Sequence, residues 1–404
     1  MPIYHTLGQI PRKRHTAFRK PDGGLYAEEL MGHEGFTGTS SLLYHAHPPT
    51  TVKAVRRVKE VKYEADPDAT LRHRHFRTAL ARKGGSPTLD RIPLLFNADV
   101  AMLYVEPDEN DAHFYRNGQG DECVYVSKGR GVLETVFGDL PFGEGDYLVI
   151  HRGILHRYRF DLGTSTGGEP AERPKLVVFE SRGHIRWPKR YRNEYGQLIE
   201  GAPYSERDIR RPTELKTHDE MGDFPLLVKQ YDGINELVLD HHPFDVVGWD
   251  GYFYPWAFNI RDFEPIVGRI HQPPPVHQTF QGDGFVICSF CPRPYDFDPN
   301  AVPAPYNHSN VDSDEVLYYA SSEFMSRKGI EFGSITHHPD GLPHGPHPGR
   351  AEASIGQKYT NELAVMMDSF RPLTVARAAT AIEDPSYHKS WLDQQHEVFN
   401  PPTS

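Results

Sequence analysis

Between residues 92 and 182 the chain breaks into eight short apolar runs closed by Gly, Asp or Pro turns, with no helical periodicity between them. The runs are IPLLFN, VAMLYVEP, AHFYRN, ECVYVSKG, GVLETVFG, GDYLVIHRG, LHRYRFD and KLVVFES. Runs this short, this evenly spaced and this rich in Val, Tyr, Phe and Ile predict an all-β barrel or sandwich. The 35 prolines and 35 glycines of the chain suit a fold with that many turns.

A later stretch carries chemistry. Within 302–349, His308, Asn310 and Glu315 form an H-x-N-x4-E pattern, and Gly333, Pro339, Gly341 and His344 form G-x5-P-x-G-x2-H. Two imidazoles and one carboxylate can fill one face of an octahedral Fe(II) and leave positions for substrate and oxygen. In a strand, His308 and Asn310 would point to one side, and the Pro/Gly turn would bring His344 in from a later strand. Because the chain has 23 histidines, an H…E…H spacing alone carries little weight. The ordered prolines and glycines carry more. Asp314 offers a spacing one residue shorter and is a rival ligand to Glu315.

This two-part pattern resembles the signature of the cupin barrel, and the eight-run region holds a worn copy of it. Glu122 and Gly129 fit the end of the first half; Gly145, Gly153 and His156 fit the second. Tyr115 and Asn117 stand where metal-binding histidines would sit, so that barrel is expected to hold no metal. A decayed repeat of this kind implies an all-β bicupin, two β-barrel (jelly-roll) domains with an extended N-terminal arm and few helices. The expected boundaries are an arm with edge strands at 1–91, the metal-free barrel at 92–182, a polar linker at 183–240, a catalytic barrel at 241–375, and a helix with a loose tail at 376–404. Residues 51–63 alternate apolar and basic side chains, as an edge strand with a charged face would. His73 and His75 have no carboxylate at ligand spacing and read as surface histidines.

The formal net charge of −11 argues against nucleic acid or an anionic membrane as the main partner. No run of about 18 apolar residues is present, and the first residues lack the apolar core of a secretory signal. Three cysteines, Cys123, Cys288 and Cys291, are few enough for a reducing compartment, and a cytoplasmic location is expected. Cys288 and Cys291 lack a second ligand pair for zinc and read as core residues.

Six phrases, in order, extend the resemblance beyond the cupin pattern: LYAEEL (25–30), FYRNGQGDE (114–122), PFDVVGWDG (243–251), PYNHSN (305–310), PHGP (343–346) and YHKSW (387–391). Together they resemble the homogentisate 1,2-dioxygenase family, which opens the ring in tyrosine and phenylalanine breakdown. The resemblance implies that His308, Glu315 and His344 bind Fe(II), that His271 is an acid/base, and that His338 is a further active-site histidine. It also implies a small aromatic diphenol acid and O2 as substrates, Asn310 beside the substrate, and a homotrimer or pair of trimers. Phe324 departs from the family, occupying the place of a tyrosine that contacts the substrate. That departure keeps open a related dioxygenase cleaving gentisate or another hydroquinone. A metal-binding bicupin without oxygenase activity is the reading from another class.

Overall fold

The protein is described by a computed structural model covering residues 3–163, 172–321, 324, 326, 327 and 329–392. The chain divides into two compact units, one of residues 1–63, 82–92 and 101–259, the other of 64–81, 93–100 and 260–404. Both are built from strands, and the all-β cupin-type expectation holds. Each of the eight runs forms a strand.

In the first unit, one sheet runs in the order Leu140–Phe142, Gly131–Thr135, His156–Phe160, Phe114–Asn117, Met221–Lys229, Gly233–His241, Val52–Glu60. Val52–Glu60 lies at its edge and is exposed at every position, with Arg56 paired to Glu236, so it is the charged edge strand that its sequence predicts. A second sheet contains Trp256–Asn259, Asp146–Ile150, Asp121–Lys128 and Lys175–Ser181 in that order. Two boundaries need correction. Residues 241–259 were expected in the catalytic barrel, but they complete the first unit: Met221–Lys229 pairs in parallel with Phe114–Asn117, and Gly233–His241, Val246–Gly251 and Trp256–Asn259 follow in the same unit. Nor is the start of the chain an irregular arm. Ala27–Glu34 and Thr37–His45 form a hairpin, and His5–Gly8 and Thr37–His45 flank Val246–Gly251. The buried residues of Thr37–His45 are consecutive and those of Ala27–Glu34 are only half-buried, so neither strand shows the alternation that would have revealed it.

Backbone proximity fixes one position in that sheet. A Cβ on Gly248 would lie 2.1 Å from the carbonyl oxygen of Gln9, and Gln9 N–H donates to Val247 O at 2.8 Å. Nothing larger than glycine fits without parting the strands. Gly248→Ala is therefore expected to cost about 1–3 kcal/mol, read from the urea midpoint. An unchanged midpoint would refute the close approach.

The second unit is organised on a six-stranded antiparallel sheet, Gln278–Gly282, Phe285–Phe290, Ala364–Ser369, Asp314–Tyr319, Ser334–His338, Arg74–Arg77. One face of Asp314–Tyr319 presents Leu317 and Tyr319, which pack with Cys288, Ala364 and Met366 into a buried cluster joined by Phe290 and Phe324. Cys288 is thus core, as its surroundings suggest, and all three cysteines are buried thiols. The helix expected at 376–391 is two 3-10 turns, Arg377–Ile382 and Tyr387–Lys389, separated around Pro385, which cannot continue a helical hydrogen-bond ladder. The expected loose tail at 400–404 lies outside the described residues. None of the described helices is long and apolar enough to cross a membrane.

Candidate metal centre

Residues 301–313 form no strand, yet His308 is held firmly. Its N–H donates to His344 O at 2.8 Å, and His344 N–H donates back to His308 O at 2.9 Å. Gly341, at φ +75°, makes the turn that returns the chain to this position. The bridge sets the two imidazoles side by side, ring centroids 4.2 Å apart. His308 Nδ1 faces Tyr306 O at 3.2 Å, and His344 Nδ1 faces Leu342 O at 3.4 Å. A carbonyl only accepts, so each Nδ1 carries the proton and each Nε2 presents a lone pair. Those lone pairs converge on Glu315: His308 Nε2 is 3.7 Å from Oε2 and His344 Nε2 is 3.4 Å from Oε1.

Strand alternation separates Glu315 from its rival. Asp314 points to the other face and accepts from His337 Nε2 at 2.9 Å, Asp340 N–H at 2.8 Å and Leu373 N–H at 2.8 Å. Three of its acceptor positions are thus engaged away from the cluster. The structure therefore brings His308, Glu315 and His344 together, one ligand atom of each within 4.8 Å of the others, and leaves Asp314 out.

The donor set fits a divalent ion. His344 Nε2 is buried without a hydrogen-bond partner, an arrangement that is costly unless something accepts its lone pair. Burial alone would raise Glu315, yet the three imidazoles around it, His338 by a direct hydrogen bond, carry it well below the usual carboxylate range. The neighbouring Glu315 carboxylate in turn raises His308. Asp368, across the register from Glu315, is pushed up to about 8 by burial and by the charge of Glu315. Two nitrogens and a carboxylate on one side suit a hard-to-borderline ion with open positions.

His338 is fully buried, stacked on His344 with centroids 4.6 Å apart, and its Nδ1 donates to Glu315 Oε1 at 2.8 Å. Its Nε2 lies 3.3 Å from Tyr387 OH. It orients the carboxylate and does not line the cavity beside the cluster. Asn310 does not line it either, and its carbonyl accepts from Gly341 N–H in the turn. The cavity has a volume of about 240 Å³ and is walled by His308, Glu315, Phe290, Leu317, Phe324 and Met366 among others. Phe324 packs edge-on against Tyr319. His271 lies on the cavity wall, apart from the cluster, with its side chain 44% exposed and Nδ1 3.5 Å from Asp296 Oδ2.

Sequence reasoning missed His73. It is half-buried, its ring 5.9 Å from His344 and 4.9 Å from Trp391, and burial lowers it to about 4. His75 and Arg74 are fully buried, because Arg74–Arg77 pairs with Ser334–His338 in the sheet. The H-x-H spacing was visible, but nothing local showed that this strand lies beside the metal cluster.

In the first unit the position matching Glu315 is Glu122, and a cation already faces it. Arg91 Nη1 lies 2.8 Å from Glu122 Oε1, and Asn117 Nδ2 donates to the same oxygen at 3.0 Å. Nearby, Asp121, His151 and His184 also cluster. Asp121 accepts from His151 Nδ1 at 2.7 Å and from the Arg152 and Ile185 amides at 2.8 and 3.0 Å. With His151 Nε2 accepting from Trp256 Nε1 at 3.3 Å, that imidazole has both nitrogens engaged, and the group is a hydrogen-bonded knot.

Comparison with known proteins places this geometry. Residues 96–260 match the family described as homogentisate 1,2-dioxygenase N-terminal. A candidate dioxygenase of Saccharolobus solfataricus is 43% identical over 97% of this chain and 99% of its own length. The homogentisate 1,2-dioxygenase of Bradyrhizobium diazoefficiens is 27% identical over 67% of this chain and 60% of its own. That of Rhodopseudomonas palustris strain BisA53 is 24% identical over 98% of this chain and 92% of its own. Among solved structures, a cupin 2 conserved barrel domain protein from Leptotrichia buccalis aligns with a TM-score of 0.32 at 11% identity, covering 77% of this chain and all of the other. The chain belongs to the dioxygenase family of its Saccharolobus solfataricus relative, and over residues 96–260 it is similar to the N-terminal part of homogentisate 1,2-dioxygenases.

Proposed function

We propose that this enzyme is an Fe(II)-dependent dioxygenase that opens the ring of homogentisate with O2 to give maleylacetoacetate. The observation that carries the reading is the convergence of His308 Nε2, His344 Nε2 and Glu315, with His308 and Glu315 on the wall of a largely apolar cavity. His308, Glu315 and His344 would hold the ion. When bound, Fe(II) supplies one centre at which a phenolate and O2 meet, and so relieves the spin barrier between them. Both oxygen atoms enter the product, so no external reductant is needed.

The remaining steps belong to the chain's own groups. The apolar wall of Phe290, Leu317, Phe324 and Met366 holds the ring and excludes water. His271 takes the phenolic proton as the substrate binds, with Asp296 stabilising the imidazolium it becomes. Its exposed edge lets that proton pass to solvent. His338 keeps Glu315 in place by its 2.8 Å hydrogen bond.

A second reading, cleavage of gentisate or another hydroquinone, is favoured by Phe324, which offers the cavity a ring and no hydroxyl. The deciding experiment adds homogentisate to protein reconstituted anaerobically with Fe(II), then follows oxygen uptake and the ultraviolet band of the ring-opened product. Uptake with product is expected, lost in His344→Ala and lowered about 100-fold in His271→Gln at unchanged iron content. Uptake with gentisate and none with homogentisate would move the substrate to the second reading.

A further inference from the structure

Two arginines line the cavity, and they differ in what balances them. Arg293 is neutralised by Glu362, Nη2 to Oε1 at 2.7 Å. Arg327 is only 6% exposed and has no carboxylate within ion-pair distance among the described residues. Its Nη1 donates to Gly345 O, its guanidinium stands 5.6 Å from the Trp391 ring centroid, and its Nε is buried with no acceptor. Glu315, the acid it shares the cavity with, is already turned to three imidazoles.

A buried guanidinium without a counter-charge is costly, and an unsatisfied N–H adds to that cost. The rest of the cavity would otherwise repel an anion, since Asp296, Glu315 and Glu362 are its carboxylates. A planar fork with a free donor is suited to a carboxylate. We propose that Arg327 recognises the carboxylate of the diphenol acid while Phe324 and Phe290 hold its ring, making it the residue that selects an acidic over a neutral substrate. The assignment rests on the ring-cleaving reading above and adds to it the group that sets substrate charge. The bond from Arg327 to Gly345, next in sequence to His344, defines the competing role: a brace for the metal ligand.

Calorimetric titration separates the two, using anaerobic iron-loaded enzyme with 2,5-dihydroxyphenylacetic acid and with its neutral amide. Wild type is expected to bind the acid about 10- to 100-fold more tightly than the amide. Arg327→Gln should raise the Kd of the acid by that factor and leave the amide within about twofold, with iron content unchanged. Arg327→Lys, which keeps the charge and loses the fork, should restore part of the preference. Equal affinity of wild type for acid and amide overturns the assignment while leaving ring cleavage intact, as does an Arg327→Gln variant that loses iron and weakens both ligands alike. Wild type that binds neither compound and takes up no oxygen with either overturns the ring-cleaving reading and this assignment with it.

Discussion

Glu315→Ala is expected to abolish iron binding in a chain that still folds, whereas Asp314→Ala keeps its iron and loses stability. The two carboxylates are neighbours in sequence, and only their faces differ. Glu315 gives the cluster its one negative charge, so its loss should lower metal affinity by more than about 100-fold, beyond what removal of an outer partner typically costs. Asp314 accepts three hydrogen bonds from buried donors, and truncation strands all three. At about 1–3 kcal/mol for each orphaned group, Asp314→Ala should cost about 3 kcal/mol or more. Metal analysis after desalting, paired with urea denaturation, reads both effects. If Asp314→Ala were the variant stripped of iron, the carboxylate assignment would be reversed.

The second large effect lies in the first unit. Glu122→Ala leaves the Arg91 guanidinium buried without its anion and is expected to cost about 3–5 kcal/mol. Replacing both, Arg91→Met with Glu122→Leu, should recover much of that loss, because the pair's own net contribution is small once desolvation is counted. Burial would raise Glu122, but Arg91 holds it down to about 2, below the 4.5 of an unperturbed glutamate. A carboxylate depressed on folding contributes its stability above the unfolded pKa and loses it as pH falls through the folded one. The contribution, about 3 kcal/mol, should therefore be complete above pH 5 and fade between about 4.5 and 2. Urea midpoints across that range should fall more steeply for wild type than for Glu122→Gln. Parallel curves would show that Arg91 does not hold the charge.

Much of this is legible in the amino-acid sequence. Eight runs became eight strands because β-branched and aromatic residues between turn formers leave few other solutions, and the G-x5-P-x-G-x2-H phrase delivered His344 to the cluster. What could not be read depends on pairing between distant segments. The alliance of Met221–Lys229 with Phe114–Asn117 moved a domain boundary by some residues, and nothing in either strand announces its partner. His73 was misjudged for the same reason. Arg91 reaches Glu122 from outside the repeat pattern, and so the pattern showed that the metal histidines were missing without showing what had taken their place. His308 itself was read as a strand residue, whereas it is fixed by a lone backbone bridge.

That bridge has a consequence for how the ion comes and goes. Where a metal must gather ligands from a disordered chain, binding and folding are one event, and chelators unfold the protein. Here the two imidazoles are already held side by side by main-chain hydrogen bonds that owe nothing to the ion. The entropy of closing the loop between 308 and 344 is charged to folding, and loading then orders little more than one carboxylate. Stripped protein should thus remain a ready receptacle, refilled in a single encounter, and the lifetime of a bound ion should depend on its ligand bonds more than on the motions of the chain.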